Sequence, residues 1–360
     1  MNWCDCGECN METQHRFTVV LLGYQSAQYL PKALDSIAKQ TFRDFDVMCI
    51  VEESTDNSLS LCRDWAARNA SVKLISLPKS GSGSCSRNYA INHAKGKYLV
   101  FLDGDDWIVD NMLEQLNQKL RYTGDVDILA FAAVTTQHDH VDIERSPFIT
   151  NFAPSDCAST FTGQEAIRKT RKNGGRFYGY TPINIYRTRF LRDNKLFQKP
   201  GVIFEDAEWM TRTWYFAKSF AYLHVKLYVY RRNAKSVMSE SSSRSIFNLI
   251  DNMSSVIRFA RAESVPLDIV AIWANQWTSL LYWFLFSPMS SRKISDKDRK
   301  DALSILFCST DKEQLKKFIA MASRPKRMAA PLLFLAAHGW MLPAKIFFRW
   351  LYYPLVMRRG

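Results

Sequence analysis

The sequence lacks an uninterrupted apolar run that is long enough to cross a membrane. A spanning helix needs about 20 apolar residues in succession, and the stretch 267–286 contains Asp268, Asn275 and Gln276. The first 16 residues also lack the apolar core of a signal peptide. We therefore expect a buried helix at 267–286, a disordered leader at 1–16 and a cytoplasmic protein.

A disulfide framework is also missing, although the chain has eight cysteines. Cys49 falls in a predicted buried strand and Cys62 on a predicted helix face, where reduced cysteine packs as a small apolar side chain. Cys4, Cys6 and Cys9 lie close together near the N-terminus, but their spacing matches no zinc-binding pattern that we can support. The cysteines therefore predict a protein that works in a reducing compartment.

No acidic residue follows Glu313, whereas nine basic residues do. The same segment, 314–360, is rich in large apolar groups, including Trp340 and Trp350. Such a composition is typical of a segment that lies in the headgroup region of an anionic bilayer. We predict that it holds the protein peripherally on the inner face of the cell membrane, and a core helix with a basic outer face is the alternative. The charge comes with no nucleic-acid-binding motif, so we expect no nucleic-acid partner.

Apolar strands and amphipathic helices alternate through the first 131 residues. Strands are predicted at 17–22, 45–51, 72–77, 98–102 and 126–131, with helices at 29–40, about 59–66, 85–94 and 111–121. The strands are apolar on both faces, which is typical of a parallel sheet covered by helices on both sides. In such sheets ligands bind beyond the carboxyl ends of the strands.

A cluster of three acidic residues follows the fourth predicted strand, at Asp103, Asp105 and Asp106. Neighbouring carboxylates repel one another unless a cation lies among them, and a hard divalent ion completed by substrate phosphates is the usual solution. A solvated acidic turn that caps the next helix is the alternative. Polar groups also follow the first two strands, at Tyr24 and at Glu52–Glu53, so we expect three strand ends to converge on one crevice.

Several spaced motifs stand in a fixed order between residues 17 and 236. They are Leu30–Thr41, Ser86–Tyr98, Phe101–Asp106, Phe204–Asp206 and Tyr228–Arg231 with Ser236. In this order they closely resemble the family 2 glycosyltransferases, particularly the bacterial enzymes that decorate surface polysaccharides and wall polymers. The resemblance implies an α/β GT-A (Rossmann-like) fold with a mostly parallel sheet and helices on both faces. Its donor half would be 17–132 and its acceptor half 133–236, followed by a helical C-terminal region at 237–360.

The resemblance also implies the reaction and its donor site. One sugar would pass with inversion from a nucleotide-diphosphate sugar, UDP-linked, to a hydroxyl of a glycan, lipid-linked or cell-envelope acceptor. The residues that match the family's donor-binding positions are Tyr24, Glu53, Arg87 and Asp103. The residues that would hold a divalent metal, Mn²⁺ or Mg²⁺, are Asp105 first, then Asp103 and Asp106.

The acceptor side is implied in the same way. Asp206 matches the position of the general base for the acceptor hydroxyl, and Glu205 would support it. The loop Gly174–Tyr180 lies ahead of this pair and is interpreted as acceptor-facing. The Gln-x-x-Arg-Trp signature of processive polysaccharide synthases is absent downstream, which favours the addition of a single sugar.

One departure from the family pattern keeps other functions open. In the family's Asp-Asp-Gly-Ser turn after the second strand, Glu52 and Glu53 replace the aspartates and the glycine before Ser54 is missing. This departure suits a catalytically inactive GT-A domain that serves as a binding or scaffold subunit. The joint presence of the other acidic positions argues against that alternative. A sugar nucleotidyltransferase has a similar sheet, but it normally carries a Gly-rich loop with Arg and Lys after the first strand, and Gly23–Ala27 has none.

Overall fold

The computed structural model describes residues 15–172, 179–232, 242–286, 294–322, 330–338 and 344. The chain divides into two compact units, each assembled from separate stretches of sequence. The first unit comprises 1–148, 182–197 and 225–231, and the second comprises 149–181, 198–224 and 232–360. The predicted division into donor half, acceptor half and C-terminal region stays a prediction.

Within the described ranges, eight strands form one sheet. They are β1 (His15–Gly23), β2 (Phe45–Glu52), β3 (Val72–Leu77), β4 (Gly96–Asp103), β5 (Trp107–Ile108), β6 (Ile128–Thr136), β7 (Asn184–Arg187) and β8 (Phe220–Arg231). β1 includes the last two residues of the predicted leader 1–16, whose residues 1–14 lie outside the described part of the chain. The strand order is β3-β2-β1-β4-β7-β6-β8-β5.

The sheet is mixed. β2 and β4 pair with β1 in parallel, and β3 pairs with β2 in parallel. β7 is antiparallel to both β4 and β6, and β5 is antiparallel to β8. The predicted α/β class is confirmed, but the parallel arrangement holds only for the half that contains β1 to β4. The fifth predicted strand, now β6, is separated from β4 by β7.

Helices cover both faces of the parallel half, which explains its continuous apolar strands. In the first unit these helices are α1 (Leu30–Ala38), α2 (Ser58–Ala67), α3 (Ser84–His93), α4 (Met112–Thr123) and α6 (Thr188–Asp193). Consecutive residues of β1, Val19, Val20 and Leu21, are all fully buried. A strand with both faces inside a core has to be apolar at every position.

The segment Leu30–Thr41 serves the fold through Gln40, which is fully buried after α1. Its Nε2 donates to the carbonyl oxygens of Ser36 at 3.0 Å and Val109 at 2.7 Å, and its Oε1 accepts from the amide of Leu113 at 3.0 Å. A buried amide is stable only when its donors and acceptors are paired. This side chain therefore ties α1 to the segment that follows the acidic turn.

The second unit is mainly helical. Its described helices are α5 (Gly163–Lys172), α7 (Glu205–Phe216), α8 (Ser243–Ala262), α9 (Leu267–Phe286), α10 (Asp296–Ser309), α11 (Lys312–Met321) and α12 (Ala330–Ala337). α9 buries Trp273, Trp277 and Leu281, so the predicted buried helix is confirmed. Among the residues that the structure describes, no helix is both long and apolar enough to span a bilayer.

The described part of the predicted membrane segment packs inside this unit. Leu315, Phe318 and Ile319 of α11 are buried, as is Leu333 of α12. These residues therefore agree with the alternative to a membrane segment, which is a core helix with a basic outer face. Most of 339–360, including Trp340 and Trp350, lies outside the described residues.

Candidate active site

Three predicted donor residues follow the ends of three adjacent parallel strands. In the register of the sheet, Leu22 of β1 lies beside Asp103 of β4, while Gly23 lies beside Val51 of β2. Tyr24 is the first residue after β1, and Glu53 is the first after β2. The sheet therefore brings these side chains to one edge, as the sequence predicts.

The Tyr24 side chain stands at this edge with 42% of its surface exposed. The Lys79 ammonium lies 5.3 Å from the centre of its ring. The next residue, Gln25, has a left-handed backbone with φ of 48°, and its amide donates to Ser54 Oγ at 3.1 Å. The turn after β1 is thus fixed to the turn after β2, and the aromatic ring is left open to a ligand.

The two glutamates after β2 have different environments. Glu52 is 5% exposed, and its carboxylate accepts from the amide of Ser80 at 2.9 Å, the hydroxyl of Ser80 at 2.7 Å and the hydroxyl of Ser86 at 3.0 Å. Glu53 has an exposed side chain, and its amide donates to the carbonyl oxygen of Leu77 at 2.8 Å. Glu52 therefore holds the loop before α3, whereas Glu53 is accessible from solvent.

Arg87 is buried in the first turn of α3 and makes an ion pair with Asp103, with 2.9 Å between Nη2 and Oδ1. Its guanidinium lies against Gly83, where an added Cβ would come within 2.8 Å of Nη1. A side chain at position 83 would therefore require the guanidinium to shift. The predicted donor residue Arg87 acts in the structure as the countercharge of Asp103.

Asp106 is turned into the protein and is only 1% exposed. Its Oδ2 accepts from the hydroxyl of Tyr228 at 2.6 Å, and its Oδ1 accepts from the amide of Arg231 at 2.7 Å. Burial, with the charges of Asp105 and Asp103, raises the pKa of Asp106 well above its ordinary value, although both hydrogen bonds oppose the shift. This carboxylate anchors the acidic turn from within.

Arg231 at the end of β8 completes the anchoring. Its Nε donates to the carbonyl oxygen of Asp105 at 2.9 Å, and its Nη1 donates to Asp139 Oδ1 at 2.6 Å. The guanidinium carbon lies 4.8 Å from the centre of the Tyr29 ring and 4.9 Å from that of Trp107. The sequence places this arginine in a motif but assigns it no role.

Asp103 and Asp105 are the partly exposed carboxylates of the turn. Within the described ranges, His, Cys, Asp and Glu side chains form no preassembled group of three or more that would hold a metal ion. Mg²⁺ sites that act on phosphates usually take one or two carboxylates from the protein and the remaining ligands from phosphate and water. Two partly exposed carboxylates beside the buried Asp106 fit that kind of site.

The predicted base lies in the second unit. Asp206 is the second residue of α7, and Phe204 before this helix has a left-handed backbone with φ of 64°. The Asp206 carboxylate accepts from the amide of Thr181 at 3.3 Å and from Gln198 Nε2 at 3.2 Å. Glu205 is buried beside it.

Two other predicted features fall largely outside the described residues. Of the acceptor loop Gly174–Tyr180, only Gly179 and Tyr180 are described, and Ser236 of the last motif is not. A cavity of about 420 Å³ opens between α1 and the segment after the acidic turn, lined by Lys32 and Trp107 among others. None of the predicted site residues lines it.

The different environments of Glu52 and Glu53 generate a prediction. Glu52→Gln should lower the free energy of unfolding by about 1–3 kcal/mol, because an amide nitrogen replaces one acceptor and leaves a buried donor unpaired. Glu53→Gln is the matched control and should change that energy by less than about 0.5 kcal/mol. Urea unfolding measures both. Equal stabilities of the two variants would contradict the structural role of Glu52.

Comparison with known proteins places the chain in a family. Residues 18–196 match the family described as Glycosyl transferase family 2. Glycosyltransferase GlyG of Streptococcus pneumoniae is 24% identical over 225 residues, which are 61% of this chain and 72% of that protein. Poly(ribitol-phosphate) beta-N-acetylglucosaminyltransferase TarS of Staphylococcus aureus is 26% identical over 185 residues, 51% of this chain but 29% of that protein.

A solved structure extends the likeness of fold beyond the matched sequence. The crystal structure of residues 1–349 of S. aureus TarS with UDP-GlcNAc superimposes with a TM-score of 0.70 at 21% identity, covering 93% of this chain and 91% of that one. The order β3-β2-β1-β4 and the acidic turn after β4 agree with the family's GT-A fold. The chain belongs to glycosyltransferase family 2.

Proposed function

We propose that this protein is an inverting, metal-dependent glycosyltransferase that moves one sugar from a UDP-linked donor to a hydroxyl of a cell-wall polymer. The convergence of Tyr24, Glu53 and Asp103 at one sheet edge carries the proposal. The relative TarS is named for transfer of N-acetylglucosamine to poly(ribitol phosphate), and its structure holds UDP-GlcNAc. These names support a UDP donor and a wall-polymer acceptor here, either free or lipid-linked.

The donor base would bind between the first two strand ends. The exposed face of Tyr24 offers a stacking surface, and the accessible carboxylate of Glu53 offers an acceptor for a ring N–H of uracil. Lys79 beside the ring adds a positive charge on the side where an anionic nucleotide would enter. Arg87 keeps Asp103 in place, and Asp103 would bind the ribose or a metal-bound water.

Asp105 and Asp103 would hold a divalent ion, and Asp106 would fix the turn rather than bind the ion. When bound, such an ion supplies positive charge that stabilises the departing diphosphate. The site fits this role because the acids are hard oxygen ligands, and burial together with the charges of Asp105 and Asp103 raises the pKa of Asp106. Arg231 holds the backbone of the turn at the carbonyl oxygen of Asp105.

Asp206 would accept the proton of the acceptor hydroxyl. As that oxygen forms its bond to the anomeric carbon, the bond from this carbon to the diphosphate oxygen breaks, and a single displacement inverts the centre. Thr181 and Gln198 each donate one hydrogen bond to the carboxylate, which orients it, and an oriented carboxylate is a common general base.

Metal-dependent nucleotide binding is the first test. In calorimetry, UDP should bind more tightly with Mn²⁺ or Mg²⁺ than with EDTA. Asp105→Asn should weaken binding by about tenfold or more, since losing even a supporting partner of a metal ligand costs roughly 10–100-fold in metal affinity. Asp110→Asn, an exposed acid a few residues on, is the control and should bind as wild type. Equal affinity with and without the ion would exclude metal dependence. Tighter binding of GDP or CDP than of UDP would show that the donor carries a different nucleotide.

Loss of the base is the second test. Asp206→Asn should reduce transfer from UDP-N-acetylglucosamine to poly(ribitol phosphate) by about 10²–10⁴-fold, with UDP affinity unchanged because the base acts on the acceptor. Asp301→Asn, on the exposed side of α10, is the matched control. Transfer by Asp206→Asn within a few-fold of wild type would remove Asp206 from the mechanism. Donor binding without transfer by wild type would favour the scaffold alternative.

We also propose that the end of the chain binds anionic membrane. Because the apolar side chains of α11 are buried, the proposal rests on the four basic residues Lys345, Arg349, Arg358 and Arg359. Replacing these four by Gln should weaken binding to phosphatidylglycerol vesicles by roughly 10²–10³-fold, at about 1 kcal/mol for each charge. Flotation checks this, with phosphatidylcholine vesicles as control. Equal flotation of variant and wild type would count against membrane binding by this segment.

A further inference from the structure

The chain enters α7 through a strained segment. Between Gln198 and Asp206, two residues have left-handed backbone: Gly201 with φ of 73° and Phe204 with φ of 64°. Glycine adopts this conformation freely, whereas a bulky residue such as Phe does so at a cost of about 1 kcal/mol or more. Such a turn persists only when its surroundings hold it. The strained residue lies two positions before the proposed base.

One face of α8 provides that hold. Asn248 Oδ1 accepts from the amide of Ile203 at 3.0 Å, and Asn252 Nδ2 donates to the carbonyl oxygen of the same residue at 3.0 Å. Arg244 Nη2 donates to the carbonyl oxygen of Gly201 at 3.1 Å. These three side chains are spaced by four residues, so they form one stripe along the helix.

An ion pair from Asp251, the residue before Asn252 on α8, connects this helix to the start of the same segment. Asp251 pairs with Lys199, directly after Gln198, whose Nε2 donates to Asp206 Oδ1 at 3.2 Å. The same Nε2 also lies 3.2 Å from Thr181 Oγ1. Gln198 is buried. A shift of the segment would therefore also move this side chain and its hydrogen bond to Asp206.

We propose that α8 is a positioning clamp for the general base: Asn248 and Asn252 hold the left-handed turn at Phe204 that presents Asp206. This inference rests on the role proposed for Asp206. The family match ends at residue 196, and the last of the sequence motifs ends at residue 236. The sequence motifs therefore assign no function to α8, whereas the proposed clamp does. A base displaced by about 1 Å can lose on the order of 10²-fold in rate, and the grip on Ile203 prevents such a displacement.

The test uses two near-isosteric variants of Asn248. Asn248→Asp keeps the oxygen that accepts from the Ile203 amide, whereas Asn248→Leu removes it. Asn252→Leu removes the donor to the carbonyl oxygen of Ile203. Ser254→Ala is the control, because Ser254 is a buried polar residue of α8 that bonds to Thr310 and not to the segment before α7.

We expect Asn248→Leu and Asn252→Leu to lower kcat by about 10- to 100-fold, with UDP affinity unchanged. Asn248→Asp should restore most of the kcat lost in Asn248→Leu, and Ser254→Ala should keep the wild-type kcat per folded molecule. Rates are measured with UDP-N-acetylglucosamine, Mn²⁺ and poly(ribitol phosphate). A similar loss in Ser254→Ala, or none in the Leu variants, would overturn the clamp.

A second measurement does not depend on substrate. Hydrogen exchange at the Ile203 amide should quicken in Asn248→Leu and stay slow in Asn248→Asp and Ser254→Ala. Wild-type exchange in Asn248→Leu would overturn the clamp even if the chosen acceptor were wrong. Faster exchange with an unchanged kcat would overturn the positioning role. Activity retained in Asp206→Asn would instead show that the proposed base is wrong, which is a separate result.

Discussion

Burial of the Asp106 carboxylate is the constraint on which the candidate donor site depends. A carboxylate removed from water and placed beside two others is strongly disfavoured as an anion unless donors surround it. Tyr228 and the backbone of Arg231 supply those donors. Because both lie near the end of β8, they connect this strand to the turn after β4. Asp103 and Asp105 remain partly exposed on a turn that these contacts hold in place.

The same division between buried anchor and exposed partner recurs at the turn after β2. Glu52 collects three hydrogen bonds from serines of the following loop and helix, and Glu53 remains in solvent. The loop held by Glu52 leads into α3, where Arg87 balances Asp103. A departure from the family pattern that suggests decay in the sequence is therefore compatible with an ordered site. The longer acidic side chain reaches serines that fix the loop.

The proposed base depends on a different kind of support. Asp206 is held by two donors from chain segments outside α7, and the turn before that helix is held by α8. A left-handed Phe two residues before the proposed base is strain that has to be offset by neighbouring contacts. The helical region after the matched family segment thus takes part in ordering the turn before Asp206. Its polar side chains Asn248 and Asn252 make these contacts.

The sequence by itself determined the strands and helices up to β4 and the polar groups at the strand ends, because local apolar periodicity reports burial directly. It also identified the acidic positions through motifs with fixed spacing. Only the tertiary structure decided that β7, four residues long, inserts antiparallel beside β4, since strand partners are chosen by contacts far apart in the chain. For the same reason, only the tertiary structure shows that Glu52 is buried while Glu53 is exposed, and that Asp106 is buried. It alone also shows the contacts of Arg231 and Asn248. A side chain's burial depends on distant neighbours, and no local pattern records them.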